Sequence, residues 1–366
     1  MVKSTHILRA GVTALGVTAL TVSAGVAHAA SPAAAPKANV TISGAGSTFI
    51  APLLQGAVIP GFTKANPNIS VDYQSIGSGA GISLFAKGSV NFAGSDALLN
   101  GTQDSLLKTQ CGGGQAGGVL KIPTTIGAVA IIFHLEGVHT GLRLTPDVLT
   151  NIFEGKITSW SDPSIKALNS TTALPNVPIQ TVHRSDGSGT TYIFTHYLSD
   201  VAPSWNKANG GPGAGTTVVW PGANALGASK SAGVSAAVNQ TNGAVSYVDL
   251  AYAVQNNLSY AYVQNSSKQF VAPSSSSASI AADGFAKTMP SDLQQLIVNS
   301  SAKGAYPVSG YSYIFLCRHE SGSIGKAVVS FVRYAVTTGQ SFATQLYYAP
   351  LPKSVQKLDL AALPRS

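Results

Sequence analysis

Thr181–Ser199, TVHRSDGSGTTYIFTHYLS, reads as a short strand ending near His183, then a turn, then a helix. Arg184 precedes Asp186-Gly187-Ser188-Gly189-Thr190, and an apolar period follows at once in Tyr192, Ile193, Phe194, Tyr197 and Leu198. Glycines let backbone come close to a ligand. The first N–H groups of a helix have no partner inside it and stand at the positive end of its dipole. Ser188 and Thr190 add hydroxyl donors, and Arg184 adds a planar fork suited to a tetrahedral oxyanion. Together these describe an anion seat. The plainer alternative is a capped helix start with a surface ion pair between Arg184 and Asp186. A Walker loop is excluded, because no Gly-Lys-Ser/Thr follows the glycines.

Two more stretches have the same form. Val40–Ser43 is a short strand leading into Gly44-Ala45-Gly46-Ser47-Thr48-Phe49; a helix follows with Ile50, Leu53, Leu54, Ala57 and Val58 on one face, expected to stop near Pro60-Gly61. Ser70–Gln74 is a strand before Ile76-Gly77-Ser78-Gly79-Ala80-Gly81 and a helix through Phe85, and the strand-like Val90–Ala93 ends in Gly94-Ser95-Asp96. In a parallel α/β sheet the carboxyl ends of strands share one edge, so such turns converge there. The signal is the repetition, since any one Gly-x-Gly is weak. A dinucleotide fold is the rival, but no acidic residue at ribose spacing follows.

At 366 residues the chain is long enough for two domains. Apolar residues make up 45% and charged residues only 10%, and the basic residues are scattered, which argues against nucleic-acid binding. Met1–Ala29 has the form of a secretory signal peptide: Lys3 and Arg9, a weakly apolar middle, and the small-x-small Ala27-His28-Ala29. Its removal takes two of the 22 basic residues and leaves 20 against 14 acidic, a net of +6, for mild attraction of anions. Residues 30–39 form a Pro/Ala-rich linker, and no cysteine stands near the cleavage site to take a lipid. Cys111 and Cys317 would by default pair in an oxidising compartment; two separately buried thiols are the alternative. No metal-ligand spacing occurs, and no cofactor is expected.

Further on, Gly112–Gly118 is a loop and Ile122–Ile132 a strand, with Pro123-Thr124-Thr125 a crossing between lobes. Thr145–Phe153 and Ser231–Val238 are helices, Ala244–Val248 a strand, and Ser274–Ser277 a polar spacer before helices at Ala281–Lys287 and Ser291–Ile297. Tyr306-Pro307-Val308 leads into the strand Tyr311–Cys317 as a second crossing, and Gly325–Thr338 is an amphipathic helix.

The stretches GAGSTFIAPL, YQSIGSGAGI, NFAGSDALL, LTNIFEGKITSWSDPSIKALN, HRSDGSGTTYIFTHYL and GAVSYVDLAYAVQNN resemble, in order, those of the periplasmic phosphate-binding proteins of the phosphate ABC importer. The resemblance runs from about Thr41 to the C-terminus. It implies an α/β, two-lobed periplasmic binding protein fold of type II, each lobe a mixed, mostly parallel sheet flanked by helices, with two hinge crossings. Lobe I is expected at 40–124 and 305–366, and lobe II at 125–304. The phosphate contacts it implies are Thr48, Phe49 (through its amide), Ser78 and Asp96 from lobe I, and Arg184, Ser188, Gly189 and Thr190 from lobe II, with Asp186 holding the arginine. It further implies a periplasmic, monomeric, non-enzymatic carrier that meets inorganic phosphate and the membrane permease subunits of an importer. An extracellular or cell-wall location is the alternative. The two cysteines and the Gly112–Gly118 loop depart from the family's pattern. The rival from another class is a secreted phosphatase on the same fold, with Ser188 as nucleophile and His183 or His196 as base, but Gly-x-Ser-x-Gly is absent there.

Overall fold

The long apolar run that suggested a crossing is a single 16-residue strand, Val119–His134, buried along nearly all its length. A strand covered on both faces needs no polar alternation, and this one has none. The computed structural model describes residues 40–112, 118–318 and 322–364. The signal peptide and linker readings lie outside these, as does most of the 112–118 loop.

Among the described residues the strands are β1 (Val40–Gly46), β2 (Ile69–Ser75), β3 (Phe92–Ser95), β4 (Val119–His134), β5 (Arg143–Leu144) and β6 (Gln180–Arg184). They continue with β7 (Leu226–Ala228), β8 (Ala244–Asp249), β9 (Ser259–Tyr260), β10 (Tyr262–Gln264), β11 (Phe270–Val271) and β12 (Ser309–Cys317). The large sheet runs β2-β1-β3-β12-β4-β8-β6-β7, with β9 beside β4, and β11-β10-β5 form a small second sheet. One half is parallel through β2, β1 and β3, and the other through β8, β6 and β7; β12 and β4 run antiparallel between them.

β4 joins the halves. Its residues up to Ala128 pair with β12, and those from Val129 pair with β8. The register against β12 shifts between Ser312 and Tyr313, so that Thr125 faces Ser312 and Pro123 faces Tyr313. Proline has no N–H for a ladder, and a bulge is where a sheet interior tolerates it. The second expected crossing lies alongside, where Val129 N–H donates to Val308 C=O at 2.8 Å.

Cys111, at the end of helix Gly101–Gln110, is bridged to Cys317 at the end of β12, with Cα atoms 5.1 Å apart. Apolar helix faces cover the sheet; the long helix Gly322–Val336 buries Val328, Phe331, Val332 and Val336.

Three local readings are revised. The first helix does not stop at Pro60: a π-turn over Leu54–Val58 leads into Ile59–Ala65, and the proline falls in the opening turn of that segment, where a missing N–H costs nothing. Ser274 is no spacer but the cap of helix Ser275–Asp283, accepting from Ser277 N–H at 3.0 Å. Ser291–Ile297 is not helical. Its polar groups are spent across the fold: Gln294 Oε1 accepts from Leu99 N–H at 2.7 Å, and Gln295 N–H donates to the Tyr313 hydroxyl at 3.1 Å. No described helix is long and apolar enough to cross a membrane.

Candidate functional site

Asp96 follows the end of β3 and is almost wholly buried, 3% exposed. Three serines surround its carboxylate. Ser47, just past β1, donates at 2.7 Å; Ser312, from β12, donates to Oδ1 at 2.6 Å; Ser78, opening helix Ser78–Ala86, lies 3.5 Å from Oδ2. Burial disfavours the charged form and raises the acid to about 6, against the pull of Ser312, Ser47, Arg184 and Ser78.

Arg184 ends β6 on the other half of the sheet and is 5% exposed. Its Nε and Nη2 reach the two oxygens of Asp186 at 2.7 and 2.5 Å, a bidentate pair that aims the guanidinium. Burial would raise Asp186, but the bonds and charge of Arg184 and the Lys230 amide lower it below the usual carboxylate value. The free end of the fork, Nη1, donates to Thr48 Oγ1 at 3.2 Å. Thr48 also shares a 2.7 Å hydrogen bond with Ser231 Oγ, at the start of helix Lys230–Gln240.

The helix after Arg184 starts at Gly189, with Ser188 as cap accepting from Thr191 N–H at 3.1 Å. The helix ladder offers no acceptor to Gly189 and Thr190 N–H. Thr190 Oγ1 is buried with no hydrogen-bond partner among the described residues. Gly189 could be nothing larger, since a Cβ there would collide with the Asp96 carboxylate and Ser78 Oγ. Gly77 is constrained twice: φ is +96°, and a Cβ would meet Asp186 Oδ2. Gly79 N–H donates to Gly187 C=O at 2.9 Å, so backbone from the two sides touches directly.

The expected residues therefore come together from four separate turns. Asp96, Ser78 and Gly189 form one group; Thr48, Arg184 and Asp186 form the next, with Ser188 and Thr190 at the helix start between β6 and the first group. Phe49 is buried, and its amide donates to Ser47 Oγ at 3.0 Å inside its own turn. His183, the base of the hydrolase reading, turns its Nδ1 to the Arg184 carbonyl at 3.0 Å and stacks on Trp220.

Sequence reasoning missed Ser47, Ser231, Ser312, Tyr247 and Asp249. Tyr247 Oη accepts from Arg184 N–H at 3.2 Å and bonds Thr191 Oγ1 at 2.7 Å, bracing both sides of the turn. Asp249, at the end of β8, is fully buried and caps the next helix through Tyr252 N–H. Desolvation, reinforced by Asp96 and opposed by the Tyr252 amide, raises its pKa well above the usual carboxylate value. Ser47 adjoins Thr48 in a turn already singled out, so it was within reach. Ser312 and Ser231 carry no local signal.

The chain matches the model of the PBP superfamily domain over residues 31–338. A phosphate-binding protein PstS from Xylella fastidiosa is 38% identical over 328 residues, covering 89% of this chain and 85% of that one. Its counterpart from Pasteurella multocida is 36% identical, covering 87% and 89%. Among solved structures, a phosphate-binding protein from Stenotrophomonas maltophilia superposes with a TM-score of 0.69 at 20% identity, covering 88% of this chain and 93% of that one. A high-affinity periplasmic phosphate-binding protein solved with phosphate bound gives 0.68 at 22%, with the same coverage. These two likenesses show the two-lobed α/β fold. By its sequence relatives, the chain belongs to the PstS phosphate-binding protein family of the PBP superfamily.

Proposed function

We propose that this protein binds inorganic phosphate outside the cytoplasmic membrane and hands it to the permease of an ABC importer, as a monomer and without catalysing a reaction. Met1–Ala29 would direct export. Residues 40–124 with 305–366 would form one jaw and 125–304 the other, hinged where β4 and the segment before β12 cross side by side.

The observation that carries this reading is Asp96. A buried carboxylate lining an oxyanion seat repels the ligand unless the ligand brings a proton. Phosphate near neutral pH always keeps at least one P–OH, and sulfate has none. Ser47 and Ser312 already fill Asp96 Oδ1, and only the longer Ser78 contact and the Ser47 fork reach Oδ2. Oδ2 also lies against Gly189, at the start of the donor helix. It is therefore the acceptor for the P–OH. An unprotonated oxyanion would leave two acceptors facing each other, at about 1–3 kcal/mol or more.

The opposite charge is subdued. Arg184 is paired with Asp186, so the anion is held mainly by hydroxyls of Thr48, Ser78, Ser188 and Thr190, the Gly189 amide and the arginine fork; the Phe49 amide would join them only by leaving Ser47 Oγ. No net positive field is needed, which suits a carrier that must release its cargo.

The test is isothermal titration of the mature protein with phosphate and with sulfate, beside a melting scan in each. Phosphate alone should bind tightly and raise the melting temperature. Equal response to both anions, or to neither, refutes the proposal, and turnover of a phosphomonoester would favour the phosphatase alternative.

A further inference from the structure

We propose that Ser231 is a positioning residue of the anion site, acting through Thr48. Resting on the phosphate reading above, this adds a member to the site and a reason for its closure.

A threonine hydroxyl has one donor and two lone pairs. Arg184 Nη1 can only donate, and it occupies one lone pair of Thr48 Oγ1 at 3.2 Å. Ser231 Oγ stands 2.7 Å away, and either hydroxyl could donate in that pair. With a bare oxyanion in the seat, the arrangement that serves the ligand has Ser231 donate. Both lone pairs of Thr48 are then filled, and its single proton is left to point at the anion. Thr48 is 2% exposed and Ser231 fully buried, so water does not compete for either hydroxyl. In such surroundings a chain of donors is polarised along its length, from Ser231 through Thr48 to the ligand.

The placement of these groups adds a conformational consequence. Thr48 follows β1 on one half of the sheet, while Arg184 ends β6 and Ser231 opens the helix packed on β6 and β8. Lys230, immediately before Ser231, takes a left-handed backbone with φ of 61° and donates its N–H to Asp186 Oδ1 at 2.9 Å. One short segment thus fixes both Asp186, which aims Arg184, and Ser231, which orients Thr48. Thr48 receives both donors only while the two halves are together, so Ser231 acts on release of the anion and not on its capture.

The test is a double-mutant cycle read by phosphate titration and stopped-flow, with ligand-free melting as the check on folding. Ser231→Ala should weaken phosphate binding about three- to tenfold, the scale of one neutral hydrogen bond, through faster dissociation at unchanged association. Ser231→Thr should restore binding. In a Thr48→Val background, Ser231→Ala should change nothing further. An affinity within twofold of wild type for Ser231→Ala, or a loss of equal size with and without the Thr48 hydroxyl, would overturn the inference. Either result leaves wild-type phosphate binding intact, whereas failure of the wild type to bind phosphate would strike the functional reading itself.

Discussion

Ser312 and Asp96 stand 216 positions apart in sequence and 2.6 Å apart in space, the hydroxyl donating to Oδ1. That bond crosses from β12 to the end of β3, and it opposes the effect of burial on the carboxylate. It also sets the pH at which the site changes character. Asp96 faces Arg184, which favours its charge, and the buried Asp249, Tyr73 and Tyr348, which feel that charge. With the acid raised to about 6, preference for phosphate over sulfate should be high at pH 7–8 and fall as pH drops through 6. Below that point Asp96 carries a proton and offers sulfate a donor. Ser312→Ala removes a bond to the charged form, so the fall should begin at higher pH. Asp96→Asn should flatten the profile. Competition titrations from pH 5 to 8 on the three proteins decide it, and parallel profiles would contradict it. The same shift costs ligand-free stability: the unfolded chain loses its proton first, so stability declines as pH rises from the ordinary 3.8 to about 6 and then levels.

Arg184 uses its geometry as well as its charge. Nε and Nη2 are committed to Asp186, and Nη1 reaches the anion side through Thr48. Arg184→Ala should weaken phosphate binding by roughly a hundredfold or more, since each charge-assisted bond is worth about 1.5–3 kcal/mol. Arg184→Lys should retain part of the affinity, and Asp186→Asn should lose less than either. Titration calorimetry ranks the three, and equal loss for Lys and Ala would mean that only the fork matters.

Asp359 lies on helix Lys353–Ala362, fully buried, with neither carboxylate oxygen hydrogen-bonded among the described residues. Desolvation alone raises it to about 8. An acid raised on folding destabilises the native state progressively as pH climbs from its unfolded value to its folded one, here from 3.8 to about 8. Asp359→Asn should therefore raise the melting point at pH 8, by the equivalent of roughly a few kcal/mol, and have little effect near pH 4. A uniform shift at both pH values would rule out titration as the cause.

The Cys111–Cys317 bridge closes a loop of 206 residues in separation. In the chain-entropy account a loop of that size stabilises by up to about 5 kcal/mol. Reduction, or paired replacement by serine, should lower the melting temperature and leave phosphate affinity within about twofold, because neither cysteine is near Asp96 in the hydrogen-bond network. A large affinity loss would show that the bridge also shapes the cleft.

The fold class, the three strand–turn–helix units and the residues that gather around Asp96 and Arg184 were legible in the sequence because their signals are local. Glycine, hydroxyl and arginine at fixed spacing before an apolar period already describe a donor-rich helix start. The failures were of another kind. Pro60 reads as a stop and Ser291–Ile297 reads as a helix, yet a π-turn and long-range hydrogen bonds overrode both local preferences.

The sequence by itself determined which turns carry donors and which carboxylate stands among them. Only the tertiary structure decided their company: Ser312 on Asp96, Ser231 on Thr48, Tyr247 under Arg184. An isolated serine in a strand or a helix looks the same whether it faces water or a buried acid. What distinguishes it is which hydroxyl lies within 3 Å once β4 has brought the two halves of the sheet together, and that is a property of packing between distant segments.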